Sequence, residues 1–321
     1  MTMMLERTAE TPRANWREAF ASDGYIVLHG VLSVDVIDAC AASLASLREL
    51  RPDLTVPSTA PARDRIDSMV RLAQAGNEID AVQQVALHAT ILDALRQVFG
   101  QEPVARYTRL LAQSPGALSI NAERRGTPHL HNFGMATRPP GGRAIVWTPV
   151  DDVHPDAGPM WFLPRSHIEF ASFPDRLLDA IPNGRNRLHQ LWEQGATAEA
   201  WLGWHGEVGD HSMAILADWM DETGAQPVPV MLRRGDALIF SNDLLHGSLR
   251  ASNPTIPRRI MFTHYHADGR QLWELGDAVG SDVNPLGPRF FEKRDWVRRE
   301  RGLTDPDGLR RFYASMKGFF G

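Results

Sequence analysis

The hydrophobic pattern of this chain changes period near residue 104. Before that point the spacing is helical. Ile37, Cys40, Ala41, Leu44 and Leu47 recur at intervals of three and four and form one apolar stripe. Ser33 stands just ahead of them, where an N-cap belongs. A second helical pattern covers 78–99, with Ile91, Leu95, Val98 and Phe99 facing inward and Gly100 as the stop. Residues 24–29 (Gly-Tyr-Ile-Val-Leu-His) read as a short strand ended by Gly30. Residues 1–15 read as a loose polar arm, and 51–63, which hold Pro52, Pro57 and Pro61, as a loop.

From 104 onward, short apolar runs alternate with Gly, Pro and Asp turns. The runs are 109–112, 144–150, 160–163, 228–232, 237–241 and 258–265. They are too short for helices and are bounded by breakers, so strands are expected. Many short strands point to a sandwich or barrel. Residues 168–227 interrupt the pattern. This stretch is rich in Trp, His and acidic residues, with helical pieces expected at 175–181 and 214–221. An insertion of that length between strands suits a lid or binding loop. The charged tail after Lys293 reads as helical.

Composition narrows the function classes. The chain has 321 residues, 43% hydrophobic and 23% charged, as in ordinary globular domains. A net charge of −5 offers no basic surface for nucleic acid. The single cysteine, Cys40, excludes an internal disulfide framework and a multi-cysteine zinc site, and it fits a reducing compartment. The N-terminus has no secretory apolar core, and no run approaches the roughly 18 apolar residues of a membrane span. A cytoplasmic protein without membrane or nucleic-acid partners is expected.

Twelve histidines are present, so two close together carry little weight by themselves. The informative group is 127–133, Thr-Pro-His-Leu-His-Asn-Phe. In a strand, His129 and His131 would project from the same face, as two ligands of one metal must. His246 is the best distant third ligand. It follows the strand pattern of 234–240 and precedes Gly247-Ser248, where backbone can approach a bound group. Just beyond, Arg258, Ile260 and Phe262 share one strand face. An arginine pointing into an apolar interior is costly unless it meets an anion, and a guanidinium suits a carboxylate. Together these residues describe an iron site with a dicarboxylate co-substrate.

Other residues have plainer readings. His154 and His167 lie near turns and suit hydrogen bonding. His264 shares the Arg258 face and His266 lies beyond it. Trp201, Trp204, His205, His211 and Trp219 suit either substrate contact or packing of the insertion. Arg124, Arg125, Arg138 and Arg143 surround the histidine pair and suit either contact with an anionic substrate or, by default, solvation.

At this point the sequence resembles the phytanoyl-CoA dioxygenase family of iron(II)/2-oxoglutarate oxygenases, from Phe20 to about His266 apart from the insertion. The opening, Phe20-Ala-Ser-Asp-Gly-Tyr-Ile-Val-Leu-His-Gly-Val-Leu-Ser, looks like the family's. The match continues through Arg138-Pro139, Trp147, Asp151-Asp152-Val153, Gly158-Pro159 and Leu163-Pro164-Arg165-Ser166-His167, where Arg165 stands for a family glycine. It ends with His246-Gly247-Ser248 and Arg258. The resemblance implies a mainly β fold with flanking helices, built on a double-stranded β-helix (jelly roll, cupin-like) core. It implies one oxygenase domain over 1–321: helical support at 1–103, core at 104–167 and 228–266, insertion at 168–227 and a helical tail at 267–321. It implies His129, the residue at 131 and His246 as metal ligands, and Arg258 on the far carboxylate of 2-oxoglutarate. It also implies Trp147, Ser248 and Leu111 along the co-substrate pocket. Fe(II), 2-oxoglutarate, O2 and a small organic substrate, with natural-product intermediates in the family's range, complete the implied chemistry.

The family's second ligand is an aspartate, and this chain has His131. Three readings stay open: a third histidine ligand, a neighbour of a metal held by His129, His246 and water, or the mark of a site without catalytic iron. Halogenases of this superfamily have a small residue there, and histidine leaves no such room. Asp243, Glu123, Asp151 and Asp152 are carboxylates that can be weighed as substitutes. The expected activity is 2-oxoglutarate decarboxylation coupled to hydroxylation or a related C–H oxidation. The alternatives are a three-histidine oxygenase that works without 2-oxoglutarate, and a catalytically silent ligand-binding protein on the same fold.

Overall fold

The computed structural model describes residues 7–54, 60, 72, 75–76, 79–113, 128–131, 135–138, 141–170, 177, 179–193, 198–249, 251–253, 255–269 and 271–274. Helix α1 spans Trp16–Asp23 and α2 spans Val34–Leu50. The Ser33 hydroxyl caps α2 by accepting the Val36 N–H at 3.3 Å. The stripe from Ile37 to Leu47 is buried at every expected position. Burial pushes the Cys40 thiol up to about 12, so it stays protonated and inert at neutral pH. The pattern over 78–99 forms two helices, α3 (Asp80–Ala86) and α4 (Ala89–Phe99). They part because His88 takes an extended conformation, φ −60° and ψ 129°, as the N-cap of α4. Gly100 ends α4 in the left-handed region.

The described residues form ten strands, in chain order β1 (Tyr25–Leu28), β2 (Pro103–Gln113), β3 (Met135–Arg138), β4 (Arg143–Pro149), β5 (Met160–Phe162), β6 (Val228–Pro229), β7 (Ala237–Ser241), β8 (His246–Ser248), β9 (Arg258–Ala267) and β10 (Gln271–Glu274). An antiparallel five-stranded sheet has the order β1-β7-β4-β9-β2, and a three-stranded sheet the order β6-β5-β8. β10 pairs with β3, so the first described part of the expected helical tail is a strand. The run 228–232 is a strand only over its first two residues. The tail beyond 274 lies outside the described residues.

The larger sheet is covered on both faces. Ile26, Ala144, Val146, Ile239, Met261 and Tyr265 pack with Ile37, Ile91 and Leu95 of the N-terminal helices. The alternate positions Val27, Ile145, Trp147, Leu238, Phe240 and Ile260 pack toward Met160 and Phe162 of the smaller sheet. Strict alternation of partners explains why β4 is buried along its whole length and why 144–147 reads as an unbroken apolar run. The result is three layers: helices, a large antiparallel sheet and a small one.

The N-terminal arm is not loose from residue 7. The Thr8 N–H donates to the Met231 carbonyl and the Thr11 N–H to the Val27 carbonyl, both at 2.9 Å. Fully buried Asp236 anchors it further. Its carboxylate accepts from the Gly30 N–H at 3.0 Å, from the Arg233 N–H at 2.8 Å and from two nitrogens of Arg7. The polar composition of the arm concealed this, because its bonds run to backbone and to one distant carboxylate.

The insertion carries α5 (Ser166–Glu169), α6 (Gly184–Glu193) and α7 (Ala198–Thr223). The piece expected at 214–221 lies inside α7, and 175–181 falls partly outside the described residues. Trp204 is buried beneath the Arg187 guanidinium at 5.1 Å, and Trp219 meets Phe170 edge-on at 4.8 Å. These aromatics pack the insertion. The side chains of Trp201 and His205 lie outside the described residues. Among the described residues no helix is long and apolar enough to cross a membrane.

Two outcomes test this account. Asp236→Ala strands buried N–H donors and lowers unfolding free energy by roughly 2–4 kcal/mol in urea titrations; a loss below about 1 kcal/mol would contradict the anchoring role. Arg165 occupies the left-handed region at φ 69°. Arg165→Gly leaves stability unchanged or raises it by up to about 1 kcal/mol, while Arg165→Val lowers it, read as thermal midpoints.

Candidate metal centre

Two peptide hydrogen bonds build the site. The His129 N–H donates to the His246 carbonyl at 2.9 Å, and the His246 N–H returns to the His129 carbonyl at 3.3 Å. This is an isolated bridge, not the strand expected for 129–131. The His131 N–H then donates to the Asn242 carbonyl at 3.1 Å. The ligand segment is thus stitched to the β7–β8 turn, and the two histidines converge through that stitching.

The ligand atoms of His129, His131 and His246 all lie within 4.8 Å of one another. Nε2 of His131 is 3.0 Å from Nε2 of His246. Two nitrogens about 2.1 Å from one ion and at right angles to each other stand about 3.0 Å apart, so this spacing fits a shared metal. The His246 Nδ1–H donates to the Leu244 carbonyl at 2.8 Å, which leaves the Nε2 lone pair for an ion. Burial holds His131 well below the usual imidazole range, helped by the nearby His246 and His129 rings. Burial, with His129 beside it, does the same for His246 against the opposing Leu244 hydrogen bond. Both rings are therefore neutral near pH 7, the form that binds metals.

No carboxylate joins this group among the described residues. Asp151 is engaged by Arg259, with contacts of 2.6 to 3.2 Å, and Asp152 accepts the Arg234 N–H at 2.8 Å. Asp243 sits in the β7–β8 turn outside the group, and Glu123 lies outside the described residues.

The three histidines line a cavity of about 150 Å³ between the two sheets, together with Trp147, Ser248 and Arg258. Its apolar walls are Ile145, Phe240, Ile260 and Phe262 from the large sheet and Met160 from the small one. Apart from their strand parity, nothing in the sequence marked Phe240 and Met160 as wall residues. Leu111 pairs with Ile260 in the β2–β9 register, but its side chain lies outside the described residues and it is not among the cavity residues.

Arg258 is 8% exposed. Its Nη1 donates to the Gly158 carbonyl and its Nη2 to Ser248 Oγ at 3.2 Å. Desolvation lowers it to about 10, so it remains a cation at neutral pH. It has no carboxylate partner among the described residues, and its Nε has no acceptor. The Trp147 indole N–H is likewise buried without an acceptor. Buried donors of this kind are rare unless a ligand completes them, and a carboxylate supplies the missing acceptors. Gly158 is required beside Arg258: at φ 70°, a Cβ there would lie 2.5 Å from the Leu249 carbonyl oxygen.

The remaining candidates divide clearly. Nε2 of His167 bonds the Ala21 carbonyl at 3.1 Å, and His154 Nδ1 accepts the Asp156 N–H at 3.1 Å. His264 and His266 are buried on β9. Arg143, expected in solvent, is 2% exposed, because it shares the cavity-side parity of Ile145 and Trp147 on β4. Arg124 and Arg125, and the side chain of Arg138, lie outside the described residues.

No curated protein matches the chain in sequence. Among solved structures it is similar to the non-heme α-ketoglutarate-dependent epimerase SnoN from nogalamycin biosynthesis, at 16% identity and a TM-score of 0.50, over 82% of this chain and 86% of that one. It is also similar to the non-heme α-ketoglutarate-dependent carbocyclase SnoK from the same biosynthesis, at 14% identity and a TM-score of 0.53, over 83% and 87%. At these identities the likeness is one of fold. The sequence pattern of the phytanoyl-CoA dioxygenase (PhyH) family matches residues 20–260. Because that span runs from α1 to the strand bearing Arg258 and covers well over half of the chain, this protein belongs to the phytanoyl-CoA dioxygenase family.

Proposed function

We propose that this protein is a non-heme iron(II), 2-oxoglutarate-dependent oxygenase that hydroxylates, or otherwise oxidises at carbon, a small organic substrate. The carrying observation is the meeting of three imidazoles, within 4.8 Å of one another, in the cavity that holds a buried arginine with no carboxylate partner among the described residues. Family membership supports the same reading, as does the likeness of fold, at 19% identity and a TM-score of 0.51, to SnoN in complex with Fe3+, α-ketoglutarate and nogalamycin RO.

Iron(II), 2-oxoglutarate and O2 together supply C–H oxidation, with succinate and carbon dioxide as by-products. His129, His131 and His246 would hold the ion through their ring nitrogens. Arg258 binds the far carboxylate of the co-substrate, with Ser248 and Trp147 presenting further donors. The apolar walls exclude water and strengthen each polar contact. The two facing sheets support a double-stranded β-helix core at 104–167 and 228–266, with 1–103 as support, 168–227 as a lid over the substrate and 267–321 completing a single domain. The working compartment is the cytoplasm.

The exchange at 131 favours one competing reading. With an aspartate ligand, iron(II) plus the 2-oxoglutarate dianion carries a formal charge of −1; with His131 it carries 0. A centre with less negative charge can bind substrate directly and act without 2-oxoglutarate.

Calorimetry and succinate release separate the two. The anaerobic iron-loaded protein binds 2-oxoglutarate, and Arg258→Ala weakens that binding by roughly 100-fold or more. Iron-dependent oxidation with no 2-oxoglutarate binding would select the competing reading. For the third ligand, His131→Ala lowers metal affinity by at least about tenfold, whereas His131→Asp retains stoichiometric iron in elemental analysis. Equal iron retention in wild type and His131→Ala would remove residue 131 from the ligand set.

A further inference from the structure

Arg143 lies close behind the metal ligands and has no role in the function proposed above. It occupies the cavity-side parity of β4 and is 2% exposed. Its Nη2 lies 3.5 Å from Nδ1 of His264. A guanidinium can only donate, so this contact makes His264 Nδ1 the acceptor and puts the ring proton on Nε2. The His264 ring in turn meets the His131 ring edge-on, with centroids 5.8 Å apart. The main chain makes a second link. The Asn242 N–H donates to the Arg143 carbonyl at 3.4 Å, and the Asn242 carbonyl accepts the His131 N–H at 3.1 Å. Both routes hold the Arg143 side chain at a fixed place behind His131.

We propose that Arg143 is a non-ligand residue of the metal centre whose fixed positive charge, held behind a ligand set with no carboxylate among the described residues, makes bound iron favour its ferrous form and take up anions. The inference rests on the metal reading given above. The exchange of aspartate for His131 removes one negative charge from the ion's surroundings, and Arg143 acts in the same direction. As a general scale, two unit charges on the order of 10 Å apart at an effective dielectric constant of about 20 shift such an equilibrium roughly tenfold. An ion in this setting has a strong preference for carboxylate or other anionic ligands in its open positions.

The test compares iron-loaded wild type with Arg143→Leu, Arg143→Gln and Arg143→Lys. Two readouts are the ferric–ferrous midpoint potential by spectroscopic potentiometry and azide affinity of the ferric form by optical titration. Either neutral variant is expected to lower the potential by about 59 mV, the equivalent of a tenfold one-electron shift, and to weaken azide several-fold. Arg143→Lys retains the charge and stays within about twofold of wild type on both scales. Neutral variants that bind stoichiometric iron at the wild-type potential, with unchanged azide affinity, overturn this inference and leave the metal reading standing. A wild-type protein that takes up no iron overturns both.

Discussion

The site depends on one short backbone contact. The paired hydrogen bonds between the peptides of His129 and His246 tie a segment ahead of β3 to the first residue of β8. Side-chain attraction cannot replace them, because three neutral imidazoles gain little from one another without an ion. The bridge sets the register in which His131 reaches Nε2 of His246, and the Leu244 carbonyl then selects the tautomer of His246. The candidate metal centre is therefore a consequence of peptide geometry before it is one of side-chain chemistry.

Burial of the large sheet on both faces makes that geometry rigid. One face rests on the N-terminal helices, and the other closes against the small sheet. A strand locked between two packed layers cannot slip by one residue without turning its whole set of side chains to the wrong layer. Arg258, Ile260 and Phe262 consequently share the cavity wall, while Met261 and Tyr265 join the helical core. The same parity brings Arg143 inside.

Charge distinguishes this cavity from an ordinary apolar gap. It is lined by three histidines, of which burial keeps His131 and His246 neutral, and by a buried guanidinium, with no carboxylate among the described residues. Burying a cation this way is unfavourable unless an anion completes it. Arg258 is held by two neutral acceptors, the Gly158 carbonyl and Ser248 Oγ, which orient it without neutralising it. That arrangement suits a site built to receive an acidic ligand.

Much of this was legible in the residues. Helical spacing and the Ser33 cap determined α2, and Gly100 determined the end of α4, since both are local effects. Alternation and breakers marked β1, β4, β5, β7 and β9. The residue pattern singled out His129, His131, His246 and Arg258 and the family resemblance added Trp147 and Ser248, and the structure brings these six to one cavity. What the sequence could not decide were the long-range partners. The bridge that replaces a strand at 129–131, the docking of residues 7–11 through Asp236 and the burial of Arg143 all depend on groups far away along the chain. Local patterns report which face a residue takes and where a turn falls. Only packed layers decide which distant carbonyl, carboxylate or imidazole that face will meet.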